Sequence, residues 1–142
     1  MTTESYQADN IFAKIMTGDI PCHKVYEDAE TLVFMDILPA SRGHCLVLPK
    51  APSRNLLDID ETALNATMRT VQKVAKAAIK SLNADGVTIR QNNEAAGGQE
   101  VFHTHFHIMP RYLGDTLRAH DSSKTNHEEL ARLAKIIGAA IE

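Results

Sequence analysis

Apolar positions change period along the chain, and each change marks an element. Ile11, Phe12 and Ile15 fall at helical spacing; Gly18 closes that short helix as a C-cap and Pro21 stops it from resuming. Over residues 23–28 and 31–37 the pattern turns strand-like, which predicts two strands joined by the turn residues Asp28, Ala29 and Glu30. In the second strand Leu32 and Phe34 share one face, and Val33 and Met35 the other. A loop over 39–43 leads to a short buried strand, 45–48, closed by Pro49. The segment Asp58-Ile59-Asp60-Glu61 reads as a capping box with Asp58 as the cap. It opens the clearest helix, in which Leu64, Met68, Val71, Ala75, Ala78 and Leu82 form one apolar stripe that Val74 and Ile79 widen. Such a stripe fits a core helix lying on a sheet, with contact to a second subunit as the alternative. A strand over 87–91, a small-residue loop over 92–99 and a long strand over 101–112 follow. Residues 114–124 are polar and read as exposed. Thr125 and Glu128 open the last helix, with Leu130, Leu133, Ile137 and Ile141 as its buried stripe. Strands in antiparallel-looking pairs, with helices between and after them, predict one α+β domain over 1–142, with 1–9 as a loose tail.

Composition narrows the function classes rather than the fold. At 142 residues the chain can bury a real core in one domain. Its net charge of −3 argues against a non-specific nucleic-acid or membrane-surface binder, which needs a basic patch. No apolar run reaches the roughly 20 residues of a membrane span, and the polar, acidic start does not read as a signal peptide. Cys22 and Cys45 are too few and too isolated for a disulfide framework. A cytoplasmic enzyme or binding protein is the expectation.

Candidate chemistry concentrates in His103-Thr104-His105-Phe106-His107. On a strand the three imidazoles would line one face at roughly 7 Å steps, with Thr104, Phe106 and Ile108 on the other. Imidazoles so placed hold a metal ion or a phosphoryl group. For zinc, a third or fourth ligand and a supporting carboxylate are needed, and no Asp or Glu lies over 101–112. For phosphoryl chemistry, a neutral imidazole can attack phosphorus directly, given a neighbour to fix its tautomer and donors to stabilise the oxygens. The loop 92–100 supplies glycine backbone and the amides of Asn92, Asn93 and Gln99 just before the strand. A site that only binds a nucleotide or a metal, without chemistry, is the rival class.

The run Gly98-Gln99-Glu100-Val101-Phe102-His103-Thr104-His105-Phe106-His107, followed by Ile108-Met109-Pro110-Arg111, resembles the signature of the histidine triad (HIT) family, its small bacterial branch in particular. Asn10 to Ile15 with Gly18, Ile20 and Pro21 is similar to the family's opening helix. Val25-Tyr26-Glu27-Asp28, the stretch from Phe34 through Asp36 to Pro39, Gly43-His44-Cys45-Leu46-Val47-Leu48-Pro49-Lys50 and Gln91-Asn92-Asn93 continue the match in order, over roughly residues 10–112. The resemblance implies a HIT-like fold: a mostly antiparallel sheet of about five strands, a long helix packed on it and a C-terminal helix. It also implies a homodimer without cofactor, acting on purine nucleotides. The reaction implied is cleavage of a nucleoside monophosphate, AMP-type, from a phosphoramidate or dinucleoside polyphosphate through a nucleotidyl-histidine intermediate.

The resemblance distributes roles over these positions. His105 matches the nucleophile, His107 the phosphate contact, and His103 and His44 the histidines that support the nucleophile. Gln99 matches an amide near the scissile bond and Asn92 a phosphate-side amide. Asp36 matches the carboxylate that accepts both ribose hydroxyls, for which one carboxylate has the capacity. Ile11, Phe12, Phe34, Ile37 and Leu46 match the walls around the base, and Glu100 and Val101 fall at substrate-contact positions. Plainer readings stand beside these: Asp36 as a turn residue, His44 as a satisfied structural histidine, and Phe12, Phe34 and Leu46 as core. His23, His120 and His127 match no motif and read as surface residues.

Three departures stand out. Relatives often hold a structural zinc with two cysteines and two histidines; here Asn10, Ala13 and Pro52 occupy three of those positions and only His103 remains, so no metal is expected. Glu100 stands where several relatives carry serine, and Glu94 replaces a common glycine. Both carboxylates bear on the leaving group the site would accept.

Overall fold

The computed structural model describes residues 5–118 and 125–142. Met1 to Glu4 of the expected tail, and His120 with the end of the polar stretch 114–124, lie outside the described residues. Elements run in the order α1 (Ile11–Met16), β1 (Lys24–Glu27), β2 (Thr31–Met35), β3 (Cys45–Pro49), α2 (Glu61–Leu82), β4 (Gly86–Arg90), β5 (Phe106–Arg111) and α3 (His127–Ala139). The strands form one antiparallel sheet in the order β1-β2-β3-β5-β4. The expected α+β architecture, five strands with a long helix and a C-terminal helix, is what the chain adopts.

Strand alternation divides the core into two clusters. Val33 and Met35 of β2, Cys45 and Val47 of β3 and Phe106 and Ile108 of β5 share a cluster with Val71, Val74 and Leu82 of α2 and Leu130, Leu133 and Ile137 of α3. The alternate residues Leu32, Phe34, Leu46 and Leu48 cluster with Phe12 of α1. The period of two therefore sends one set of side chains toward two helices and the other toward one short helix. His107 lies on this second, thinly covered face, between Leu46 of β3 and Arg90 of β4 in the ladder.

The capping and burial details differ from the sequence reading in instructive ways. Asp60, not Asp58, caps α2, its carboxylate accepting the Ala63 N–H at 2.8 Å. Asp58 instead accepts the N–H groups of Arg54 and Asn55. Met68, expected in the buried stripe, is 42% exposed, while Thr67 and Thr70 are buried. The buried face is turned by about one residue, and the Thr31 and Thr70 hydroxyls meet there at 2.9 Å. Asn126, not Thr125, caps α3 through its carboxamide oxygen and the Glu129 N–H. Thr125 donates to the Ile37 carbonyl at 2.7 Å and ties the helix start to the β2–β3 connection. Along α3, Gly138 sits where an added Cβ would lie 2.5 Å from the Val25 carbonyl oxygen, so glycine sets how closely α3 approaches β1.

The predicted histidine strand over 101–112 is shorter than expected. Extending the β3–β5 register of Val47 with Phe106 would put Thr104 opposite Pro49, which has no N–H to give the ladder. The Thr104 N–H bonds instead to the Ser53 carbonyl at 2.9 Å, and its hydroxyl meets that of Ser53 at 2.6 Å. His103 and His105 therefore precede the strand, and only His107 lies on it. His127 is exposed and His23 half-buried, and their rings meet at 2.8 Å. Among the described residues no helix is long and apolar enough to cross a membrane.

Candidate active site

A cavity of about 660 Å³ opens on the sheet face opposite α2. Every position expected to contact substrate lines it: Ile11, Phe12, Phe34, Asp36, Ile37, Leu46, Asn92, Glu100 and Val101. Of the expected catalytic histidines, His105 and His107 line it as well. Phe12 and Phe34 meet edge to face with ring centroids 5.5 Å apart, and Phe12 stands edge-on to His105 at 4.9 Å. Ile11 and Ile37 are 46% and 50% exposed. Apolar walls with half-exposed rims leave a slot suited to a flat, apolar-faced group.

Hydrogen bonds assign the proton on each ring. The Nδ1 of His105 lies 2.6 Å from the backbone carbonyl oxygen of His103. A carbonyl only accepts, so Nδ1 carries the proton and the lone pair resides on Nε2. His103, fully buried, donates from Nε2 to the Pro49 carbonyl at 2.8 Å. Its Nδ1 therefore accepts, and the Tyr6 hydroxyl donates to it at 2.6 Å. His44, also fully buried, accepts the Ala40 N–H on Nδ1 at 2.9 Å. Its proton is then on Nε2, 2.9 Å from Nδ1 of His107 and 3.4 Å from a carboxylate oxygen of Asp36. His107 accordingly accepts on Nδ1 and carries its own proton on Nε2. In these tautomers His105 turns a lone pair, and His107 an N–H, toward the site from rings 5.1 Å apart.

Burial favours the neutral form of His103 and His105. It pushes His105 below the ordinary imidazole value against the opposing pull of the His103 carbonyl and Glu100. It takes His103 down to about 4. Asp36 combines two of the readings open from sequence: it accepts the Leu38 N–H at 2.8 Å, as a turn residue does, and it lines the cavity.

Gln99 departs from its expected place. It is buried and outside the cavity lining, and its amide is spent on the protein: Nε2 donates to the carbonyls of Arg54 and Val101, and Oε1 accepts from Asn55 and from the Glu94 N–H. All of its strong donor and acceptor capacity goes into holding the loop 94–101 against 54–55. Glu94 belongs to that brace. Its backbone, at φ 65° and ψ 162°, is in a region that is almost exclusively glycine's and costs about 1–3 kcal/mol. A two-pronged ion pair with the buried Arg54 guanidinium, at 2.8 and 3.0 Å, and a 2.6 Å bond from Asn55 offset that strain. The Arg54 bonds hold the Glu94 carboxyl below its usual range. Glu94 is thus turned from the cavity, and of the two unusual carboxylates only Glu100 lines it.

Sequence reasoning missed Tyr6, Ser53, Arg54 and Asn55. Each acts through a bond to a segment about 40 or more residues away, and none lies in a periodic stretch that singled it out.

The residues present do not fit a structural zinc at the position used by relatives. The Asn10 carboxamide caps α1, Ala13 and Pro52 offer no ligand, and the Nδ1 lone pair of His103 is taken by Tyr6. Asp36, His44 and His107 bring ligand atoms within 4.8 Å of one another. In the neutral ring, however, His44 carries its proton on the Nε2 that faces the other two, because Nδ1 serves Ala40. In this tautomer the cluster serves as a hydrogen-bond relay.

Comparison with known proteins agrees with this geometry. Residues 17–114 match the HIT domain family model. A crystal structure of a HIT-like protein from Bartonella henselae superimposes with a TM-score of 0.90 at 48% identity, covering 96% of this chain and 100% of that one. An adenylylsulfatase of Arabidopsis thaliana is 36% identical over 93% of this chain and 67% of that protein. An adenosine 5'-monophosphoramidase of Schizosaccharomyces pombe is 40% identical over 71% of this chain and 73% of its own length. With nucleotide hydrolases among its relatives and the triad disposed as described, the chain belongs to the histidine triad family.

Proposed function

We propose that the protein is a purine-nucleotide hydrolase or transferase that removes an AMP-type group from a phosphoramidate or dinucleoside polyphosphate through His105. The observation that carries this is the 2.6 Å bond from His105 Nδ1 to the His103 carbonyl, which leaves Nε2 as a lone pair on a ring lining the cavity. That lone pair attacks the α-phosphorus; a P–N or P–O bond breaks, and its electrons leave with the amine or phosphate. Water then cleaves the N–P bond of adenylyl-His105 and releases AMP. The Nε2–H of His107 donates to a non-bridging oxygen as its charge rises, and His44 fixes that tautomer from behind. Asp36 accepts the ribose hydroxyls while the apolar slot takes the base. In this reading Gln99 is a loop brace and not a catalytic group.

The test is trapping. Brief exposure to an adenosine phosphoramidate, followed by rapid quench and mass spectrometry, is expected to find one AMP-sized adduct on His105. Repeated failure to find it, with nucleotide still bound, would favour a site that binds without chemistry.

A homodimer is part of the same proposal. Strand β4 lies at the sheet edge with Ile89 40% exposed, and α2 presents Met68 to solvent. An unpaired edge beside apolar side chains suits pairing with a second copy. Sedimentation at micromolar concentration is expected to give a dimer, with Ile89→Lys shifting it to monomer. A monomeric unsubstituted chain would sink the idea.

A further inference from the structure

Residues 1–9 read as a loose tail, yet Tyr6, among the described ones, packs against the site. Asn10 caps α1, its Oδ1 accepting the Ala13 N–H at 2.9 Å. Both its backbone N–H and its Nδ2 donate back to the Gln7 carbonyl, at 3.3 and 2.7 Å. This turn holds Tyr6 over His103. The two rings meet edge-on, with centroids 5.6 Å apart and planes at 65°.

A continuous line of bonds then runs from Tyr6 toward the reacting atom. The Tyr6 O–H donates to His103 Nδ1 at 2.6 Å, and His103 Nε2–H donates to the Pro49 carbonyl at 2.8 Å. The carbonyl of the same His103 residue receives the proton-bearing Nδ1 of His105 at 2.6 Å. His103 is fully buried, so no bulk water replaces a lost partner. If its proton moved to Nδ1, the Nε2 lone pair would face the Pro49 oxygen and the two would repel. The ring would have to turn, and residue 103 with it.

We propose that Tyr6 is a positioning residue for the nucleophile, its hydroxyl pinning the end of the His103 ring that Pro49 does not hold. It thereby fixes the backbone carbonyl that sets the tautomer of His105. The proposal rests on the role assigned to His105 above. Tyr6 does not line the cavity, and its hydroxyl bonds to His103, so its influence on the nucleophile passes through that residue. Tyr6 against His103 and Phe12 of α1 against His105 hold the site from two sides.

Tyr6→Phe removes the hydroxyl and keeps the ring. Three quantities are read on the full-length chain and on this variant: the tautomers of His103 and His105 by nitrogen-15 NMR of labelled imidazoles, the turnover of an adenosine phosphoramidate, and thermal melting. The unsubstituted protein is expected to show His103 as Nε2–H and His105 as Nδ1–H. In the variant Pro49 still holds His103 as Nε2–H, but a ring pinned at one end only lets the carbonyl of residue 103 shift, and His105 becomes a tautomer mixture. Its kcat falls roughly 10- to 100-fold, the scale of a slight misplacement of a reacting group, while KM stays within about two-fold. A His105 that keeps its single tautomer in Tyr6→Phe overturns the proposal. So does a loss of activity that merely follows a lowered melting temperature with both tautomers intact. Absence of turnover in the unsubstituted protein would count against the proposed hydrolase alone, since the tautomers still decide what Tyr6 does.

Discussion

His105→Asn is expected to lose turnover by roughly 10⁴- to 10⁶-fold, the scale seen when a covalent nucleophile is deleted. Asparagine keeps a side-chain N–H that can donate to the His103 carbonyl, so the local bond that positions residue 105 has a substitute. It has no basic nitrogen with which to attack phosphorus. The edge-on contact with Phe12 is lost, but the walls supplied by Ile11, Phe34, Ile37 and Leu46 remain. Nucleotide affinity is therefore expected within a few-fold of the starting protein, by calorimetric titration with AMP, while kcat vanishes. That separation is the useful part of the experiment: a variant that neither binds nor turns over would speak only of folding. A variant retaining even a tenth of the activity would remove His105 from the chemistry and return the triad to a binding role.

The parts of this site that were legible in the sequence are those set by local rules. Period two in β2 and β3 separates Leu32 and Phe34 from Val33 and Met35, and the two core clusters divide along the same line. The positions given substrate or catalytic roles make up about half of the cavity wall, while Ile20, Pro21, Cys22, Met35, Leu38 and Arg90 line it without having been given such a role. What failed to show is what depends on segments remote in sequence. Gln99 occupies the motif position of an amide near the scissile bond, yet Arg54, Asn55, Glu94 and Val101 consume its hydrogen bonds. The extent of β5 depends on Pro49, in a strand more than fifty residues earlier. Met68 loses its place in the α2 stripe because threonines can be buried when their hydroxyls find partners, as those of Thr67 and Thr70 do. Glu94 is the clearest conflict between residue and backbone, and its resolution by Arg54 and Asn55 is visible only once the loop is folded. Such conflicts gather at sites where geometry is imposed by the surroundings.

Acid is expected to weaken the fold through His103. His103 is buried with its Nδ1 serving Tyr6 and its Nε2 serving Pro49. Burial is the main cause of its descent from 6.5 to about 4, with His105 nearby adding to it and the Pro49 bond opposing it. In the unfolded chain this imidazole takes up its proton near 6.5, whereas in the folded chain it waits until about 4. Between those values the unfolded state binds more protons, so stability falls as the pH is lowered. At 1.36 kcal/mol per unit of displacement, His103 contributes about 3 kcal/mol that is fully present above pH 6.5 and gone below pH 4. Urea midpoints measured across that range should decline steeply, with carboxylates and other histidines adding their own share. His103→Gln isolates the effect: the variant starts less stable at pH 7, but its decline is shallower by up to one proton's worth over the same window. Parallel declines in the two proteins would show that His103 does not stay neutral in the fold. The same burial lowers His105, so its lone pair remains available below the ordinary imidazole range.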